Sequence, residues 1–285
     1  MSVSKPAKNR PEVKPVRVMA VSSGKGGVGK SNLTLSLALA LAAMGKKILI
    51  WDADLGLANT DVLLGVRTKH TIHDWLKGDK TLKEIILKGP LGIQILPAAS
   101  GILELNEISE SQKARLISEF EEWQEELDFL LIDTAAGIGP NVIFFNLVAQ
   151  EHIVVVTNEP TSLTDAYALI KALSTEHDQN QFYILPNMVP GSKEARAIFE
   201  LISNVAGLYL SKVSLDLVGF VPYDEAVPNS VRSQKPFFLN DPNSEASVKI
   251  AELARYLVHK TPPEFGGGGL VLFLNRLVAS QRKVD

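Results

Sequence analysis

Gly24-Lys25-Gly26-Gly27-Val28-Gly29-Lys30-Ser31 decides how the rest of this chain is read. The frame Gly-x-x-x-x-Gly-Lys-Ser is a phosphate-binding loop of the Walker A type, and it lies between an apolar run at 16–21 and a helical run at 33–44. Glycine has no Cβ, so a loop built from it can turn backbone N–H groups inward and bring them close to a polyphosphate. Lys30 is placed to reach the β- and γ-phosphates of ATP, and the Ser31 hydroxyl is placed to ligate Mg²⁺. Gly24, Gly26, Gly27, Val28, Gly29 and Asn32 complete the expected cradle. Lys25 has no part in that chemistry. A second cation beside a site that already has its lysine implies a second task.

Composition sets the limits. With 285 residues, 46% of them hydrophobic, and a mean hydropathy of +0.10, the chain can bury a large core. A net charge of −3 argues against a molecule that binds nucleic acid over its whole surface. There is no cysteine, which removes disulfides, thiol catalysis and thiolate-held metals together. Residues 1–14 lack the apolar centre of a signal peptide, and no apolar stretch is long enough to cross a bilayer as a helix. A soluble cytoplasmic protein is expected.

Residues 1–15 carry Lys5, Lys8, Arg10 and Lys14 among prolines and read as a flexible basic arm. From residue 16, short β-branched or leucine-rich runs (16–21, 47–51, 93–96, 129–132, 152–157, 182–185 and 217–221) alternate with helical patterns. The helical patterns cover 32–44, 111–127, 140–149, 163–174, 193–206 and 244–259. Such alternation predicts an α/β fold of three layers, a doubly wound and mostly parallel sheet with helices on both faces, over residues 16–261. Near-continuous apolar strands fit a sheet covered on both sides. A Pro/Gly hinge follows at 262–269. Over 270–285, Leu270, Phe273, Leu274, Leu277 and Val278 recur at helical spacing, giving an amphipathic helix with one apolar stripe.

Two further segments fit a nucleotide site. The run at 47–51 leads into Asp52-Ala53-Asp54, which puts two carboxylates at the C-terminal end of a strand, where open α/β sheets bind ligands. The run at 129–132 delivers Asp133 and then the turn Thr134-Ala135-Ala136-Gly137. Asp133 is expected to support Mg²⁺ through its water shell and Asp54 to orient the attacking water. Asp52 is read either as structural or as acting through its neighbours. His70, His73, His152, His177 and His259 form no pattern suited to a metal.

With these residues in place the chain resembles the deviant-Walker ATPases of the MinD/ParA group, whose signature Lys-Gly-Gly-x-x-Lys-Ser/Thr is met in full at 25–31. The resemblance implies a SIMIBI-type P-loop fold and an ATP-sandwiched homodimer in which Lys25 contacts phosphates held by the other subunit. It also implies that Asn187, Pro222 and Asp224 lie near adenine. Within the group, 52–59, 132–138, 221–227 and above all 159–171 (Glu-Pro-Thr-Ser-Leu-Thr-Asp-Ala-Tyr-Ala-Leu-Ile-Lys) are similar to FleN/FlhG proteins, the MinD-like regulators of bacterial flagellar number.

That likeness implies slow Mg²⁺-dependent ATP hydrolysis used as a switch and restraint of a FleQ-type transcription activator. It further implies contact with FlhF or the flagellar switch complex, and reversible attachment of the C-terminal helix to the cytoplasmic face of the inner membrane. Direct nucleic-acid binding is not expected. Two departures stand out: residues 1–14 lack the Asp-Gln-Ala-x-x-Leu-Arg segment that FlhG proteins use on FlhF, and Pro228 replaces a residue that is usually basic. A ParA-type DNA-partition ATPase is the alternative reading. The absence of cysteine disfavours relatives that assemble clusters.

Overall fold

A computed structural model describes residues 16–54, 63–65, 70–97 and 126–261, together with scattered positions of 109–120. The basic arm, the hinge at 262–269, the helix at 270–285 and the segment 55–62 lie outside the described residues.

The strands are β1 (Arg17–Ser23), β2 (Ile48–Ala53), β3 (Leu87–Lys88), β4 (Gln94–Leu96), β5 (Phe129–Ala136), β6 (Glu151–Val156), β7 (Gln181–Val189), β8 (Ser214–Leu217) and β9 (Val221–Pro222). The helices are α1 (Lys30–Ala43), α2 (Ile72–Leu76), α3 (Leu82–Ile85), α4 (Pro140–Val148), α5 (Pro160–His177), α6 (Ser192–Tyr209), α7 (Ala226–Arg232), α8 (Phe237–Asn240) and α9 (Glu245–His259). Strand order is β3-β4-β2-β5-β1-β6-β7-β8, with β9 also paired to β7. Every pairing is parallel except β3 with β4. The expected doubly wound α/β architecture is therefore present.

Strand periodicity explains the layers. Along β1, Val18 and Ala20 join a core with Trp51 of β2 and Phe145 of α4, whereas Met19 and Val21 join one with α1 and α9. A third cluster packs α5 and α6 over β6 and β7. Trp51 stacks on Phe120 at 5.9 Å between ring centroids and meets Phe145 edge-on at 5.6 Å. Helix α1 is buried almost all round, through leucines at 33, 35, 37, 39 and 41 with small residues between them. That follows from its place between the sheet and α9.

The run expected as one strand at 217–221 is instead divided. β8 ends at Leu217, Gly219 turns with φ +141°, and β9 begins at Val221. A backbone angle in that region breaks a strand and is open to glycine at no steric cost. Pro228 sits in the first turn of α7, where a missing N–H removes no intrahelical bond.

At the end of the sheet where β1 starts, a buried ionic group closes the core. The Arg17 guanidinium donates to Glu151 at 2.8 and 2.6 Å and to the carbonyls of Leu257 and Lys260 at the end of α9. Tyr183 Oη donates to Glu151 at 2.9 Å, and Lys260 Nζ donates to Asp216 at 2.8 Å while lying 4.2 Å from the Tyr183 ring centre.

Burial, reinforced by the Glu151 carboxylate, pushes the Tyr183 phenol up to about 12 from its ordinary 10.0. Because the folded-state value is raised, the associated stability is complete below about pH 10 and is lost as pH rises towards 12. Thermal unfolding followed across that window should show a steep alkaline decline that Tyr183→Phe flattens. An unchanged slope in the variant would mean that Tyr183 is not the group responsible.

Candidate nucleotide site

β1 delivers the Gly24–Ser31 loop to the C-terminal edge of the sheet, between β5 and β6. The chain crosses from one side of β1 to the other there, which is the switch point where open α/β sheets hold ligands. Gly27 and Gly29 take φ +79° and +87°, in the left-handed region. Gly29 also precedes the first turn of α1 without a side-chain cap, so that turn's N–H groups have no side-chain acceptor there. The loop is braced from β7: Asn187 Nδ2 donates to the Val28 carbonyl at 2.7 Å. A Cβ on Gly29 would lie 2.6 Å from that same nitrogen. Gly24 backs onto α5, where a Cβ would come within 2.1 Å of the Asp165 carbonyl carbon.

Lys30 and Asp133 meet in an ion pair. Lys30 Nζ lies 2.5 Å from Asp133 Oδ1, and both side chains are buried. Thr34 Oγ1 donates to the Lys30 carbonyl at 3.0 Å and lies 3.5 Å from the same carboxylate oxygen. Asp133 Oδ2 is buried with no hydrogen-bond partner among the described residues. An unpartnered buried carboxylate oxygen is costly unless something satisfies it. Ser31 stands at the opening turn of α1, and carboxylate and hydroxyl oxygens are the donor types that hydrated Mg²⁺ accepts. Among the described residues no group of three or more His, Asp or Glu forms a separate metal site.

Asp52 pairs in register with Asp133 across β2 and β5 and is buried. Its Oδ1 accepts the Asp54 N–H at 3.2 Å. Asp54 is half-buried just beyond the end of β2. On the other side, Gly137 turns with φ +96° and its N–H donates to the Ser23 carbonyl at 2.9 Å. The turn after Asp133 is thereby tied to the beginning of the loop.

The residues assigned to adenine lie towards the C-terminal end of β7 and in and just after β9, and each has another duty in the fold. Asn187 is committed through its amide nitrogen to the loop. Pro222 is buried in β9. Both Asp224 oxygens accept backbone N–H groups, from Ala226 at 2.9 Å and Ala246 at 3.1 Å, so this carboxylate caps α7 and α9.

Sequence reasoning missed two features. Glu159, which precedes α5, holds the Lys25 ammonium in an ion pair; the run 159–171 had drawn attention without a role for its first residue. A buried polar set also links β1, β5 and α4. Thr134 Oγ1 lies 3.1 Å from Ser22 Oγ, and Asn146 Nδ2 donates to Ser22 Oγ at 2.9 Å and to the Val142 carbonyl at 2.8 Å. Only the apolar surroundings of Asn146 in the sequence could have hinted at it.

This fold and loop define a P-loop NTPase. The family model for ParA, described as NUBPL iron-transfer P-loop NTPase, matches residues 14–258, and the chain belongs to this ParA/MinD-type family, whose shared activity is ATP hydrolysis. The iron-transfer part of that description has no thiolate to work with here, since the chain lacks cysteine.

Over 93% of its length the chain is 44% identical to the antiactivator FleN of Pseudomonas aeruginosa, covering 94% of that protein. It is 36% identical over 92% of its length to the flagellum site-determining protein YlxH of Helicobacter pylori, covering 90% of it. Among solved structures, the septum site-determining protein MinD of Pyrococcus horikoshii, complexed with Mg-ADP, is 25% identical with a TM-score of 0.67. The match covers 86% of this chain and 96% of that one. Among the described residues, no helix is long and apolar enough to cross a membrane.

Proposed function

We propose that this chain is a FleN/FlhG-type ATPase, a switch that limits flagellar number by dimerising on ATP and restraining a FleQ-type transcription activator. The single observation that carries the reading is the 44% identity, over 93% of the chain, to the antiactivator FleN, in a chain whose phosphate loop carries Lys30 in contact with Asp133. ATP would sit on the loop 24–31 with Asn32, and its base near Asn187, Pro222 and Asp224. Mg²⁺ would be held by Ser31 and Asp133 with Asp54 alongside, and it supplies charge neutralisation on the phosphates. Lys30 holds the β/γ-phosphates, Asp54 orients the attacking water, and little base strength is needed because phosphoryl transfer asks mainly for positioning.

Lys25 pairs with Glu159 in the single chain and is partly exposed, which supports a task outside its own site. Delivered across a dimer, it would make subunit association and nucleotide state interdependent. Hydrolysis then sets the lifetime of the dimer, so slow turnover suits the output. Residues 16–261 form the ATPase body, the hinge 262–269 follows, and the helix 270–285 associates reversibly with the cytoplasmic face of the inner membrane. FlhF and the switch complex are further partners on this reading.

The test is genetic and biochemical together. Deleting the gene should raise the number of flagella per cell, and complementation with Lys25→Ala should fail although the purified variant still binds ATP. Light scattering should find that variant monomeric at ATP concentrations that dimerise the wild type. Equal losses of binding and dimerisation would make Lys25 an ordinary contact within one chain. Normal flagellar counts with loss of plasmids would favour DNA partition instead.

A further inference from the structure

Among the described residues β8 ends the sheet, so one of its edges has no neighbouring strand. The N–H groups of Ser214 and Val218 donate to the carbonyls of Asn180 and Ile184 on the β7 side, at 2.7 and 3.3 Å. Backbone groups alternate in direction along a strand, so Leu215 and Leu217 turn their N–H and C=O groups to the open side. An unpaired edge of this kind is a template for another chain. At its end the edge runs into a cleft of about 600 Å³ lined by Leu217, Val218 and Phe220, by Tyr256 of α9, and by Lys193 and Arg196 of α6. Phe220 is only partly buried and Tyr256 is 39% exposed, so the cleft offers aromatic surface.

The charges around the cleft do not cancel. Lys193 and Arg196 are exposed and have no ion-pair partner among the described residues. The nearby acids are engaged elsewhere: Glu194 by Asn158, Glu252 by Lys249 and Asp216 by Lys260. The chain's own segments make poor occupants. Residues 1–15 carry Lys5, Lys8, Arg10 and Lys14 against Glu12, and 262–285 carry Arg276, Arg282 and Lys283 against Glu264 and Asp285. The acidic run Glu104, Glu107 and Glu110 follows β4, which lies roughly 30 Å from β8 across the sheet at ~4.8 Å per strand spacing. Ser109 is tied back on that side through Gln112 to the Leu76 carbonyl. Antiparallel pairing with a second copy of β8 would bring that copy's Lys212 towards the cleft, a cation where an acid is wanted.

We propose that the free edge of β8 and the cleft at its end receive an extended acidic segment of a partner protein, added to the sheet as a further strand. The backbone groups of Leu215 and Leu217 hold its main chain, an apolar side chain fills the cleft against Phe220 and Tyr256, and its carboxylates meet Lys193 and Arg196. Strand addition draws affinity from the main chain and specificity from side-chain pockets, and here the pocket selects by charge. The surface lies at the edge of the sheet, beyond β6 and β7 from the phosphate loop that follows β1. The proposal goes beyond the flagellar reading and does not depend on it.

The experiment titrates the full chain into two labelled peptides, Glu-Val-Asp-Phe-Glu-Val-Asp and the same sequence with Lys at every acid, followed by fluorescence anisotropy. The acidic peptide should bind about tenfold more tightly or better, with the preference fading as salt rises. The variant K193E/R196E should reverse the preference while binding ATP as wild type does, which shows that it is folded. Hydrogen exchange on the acidic complex should slow the Leu215 and Leu217 amides by about tenfold. An acidic peptide that binds no more tightly than the basic one overturns the proposal, as does a charge reversal that leaves the preference intact. Binding without protection of those two amides overturns strand addition. A nucleotide-free dimer that protects the same amides would assign the edge to a second copy, and displacement of the peptide by duplex DNA would assign the cations to nucleic acid; either result overturns the proposal.

Discussion

Lys30→Met should lower the stability of the fold by about 3 kcal/mol and abolish nucleotide binding. The first effect comes from what the substitution leaves behind. Asp133 is fully buried, one oxygen pairs with Lys30 at 2.5 Å, and the other has no partner among the described residues. Removing the ammonium strands a carboxylate in the interior, and breaking one half of a buried pair is far more costly than replacing both halves. The double variant Lys30→Met/Asp133→Leu should therefore recover most of the lost stability while remaining unable to bind ATP. Thermal melts and nucleotide titrations on the three proteins separate the two effects. A single variant as stable as wild type would show that the pair contributes nothing to the empty fold.

The second large effect belongs to a residue without a side chain. Gly24→Ala should cost about 3 kcal/mol, because overpacking against atoms that cannot yield lies at the high end of its range. The new methyl would sit 2.1 Å from the Asp165 carbonyl carbon, 2.3 Å from its oxygen and 2.6 Å from the Ala166 nitrogen, all backbone atoms of α5. Either the loop lifts from the helix or the helix shifts. Gly26 provides the control, since a Cβ there meets nothing closer than the Ala136 methyl at 4.0 Å. Gly26→Ala should change stability by no more than about 0.5 kcal/mol. If the two variants melt together, the close approach of loop and helix is not a constraint on the fold.

The sheet and the phosphate end of the site were legible because their signals are local and chemical. The loop's glycines, Lys30 and the strand leading to Asp133 each occupy positions that one kind of backbone geometry requires, whereas the direct contact of Lys30 with Asp133 shows only in the fold. Helix α1 shows why context mattered. Its leucines at every second residue repeat with strand periodicity, and the phosphate loop before it is what marks it as a helix.

Other features depend on contacts between residues far apart in sequence, which no local pattern encodes. Glu159 meets Lys25 across 134 residues, Asn187 braces Val28 across 159, and Arg17 reaches Lys260 across 243. The break at Gly219 was missed for the opposite reason: a short apolar run looks continuous until its backbone angle is known. Asp224 is assigned to adenine by family likeness, and its oxygens are also engaged by two helix starts, a duty that only the packing of α7 and α9 makes visible.

The Asn187 brace bears on the tempo of the nucleotide cycle. A loop kept in shape by β7 has no folding step to complete when a nucleotide arrives and none to undo when it leaves. Occupancy then carries no penalty for a rarely populated receptive form.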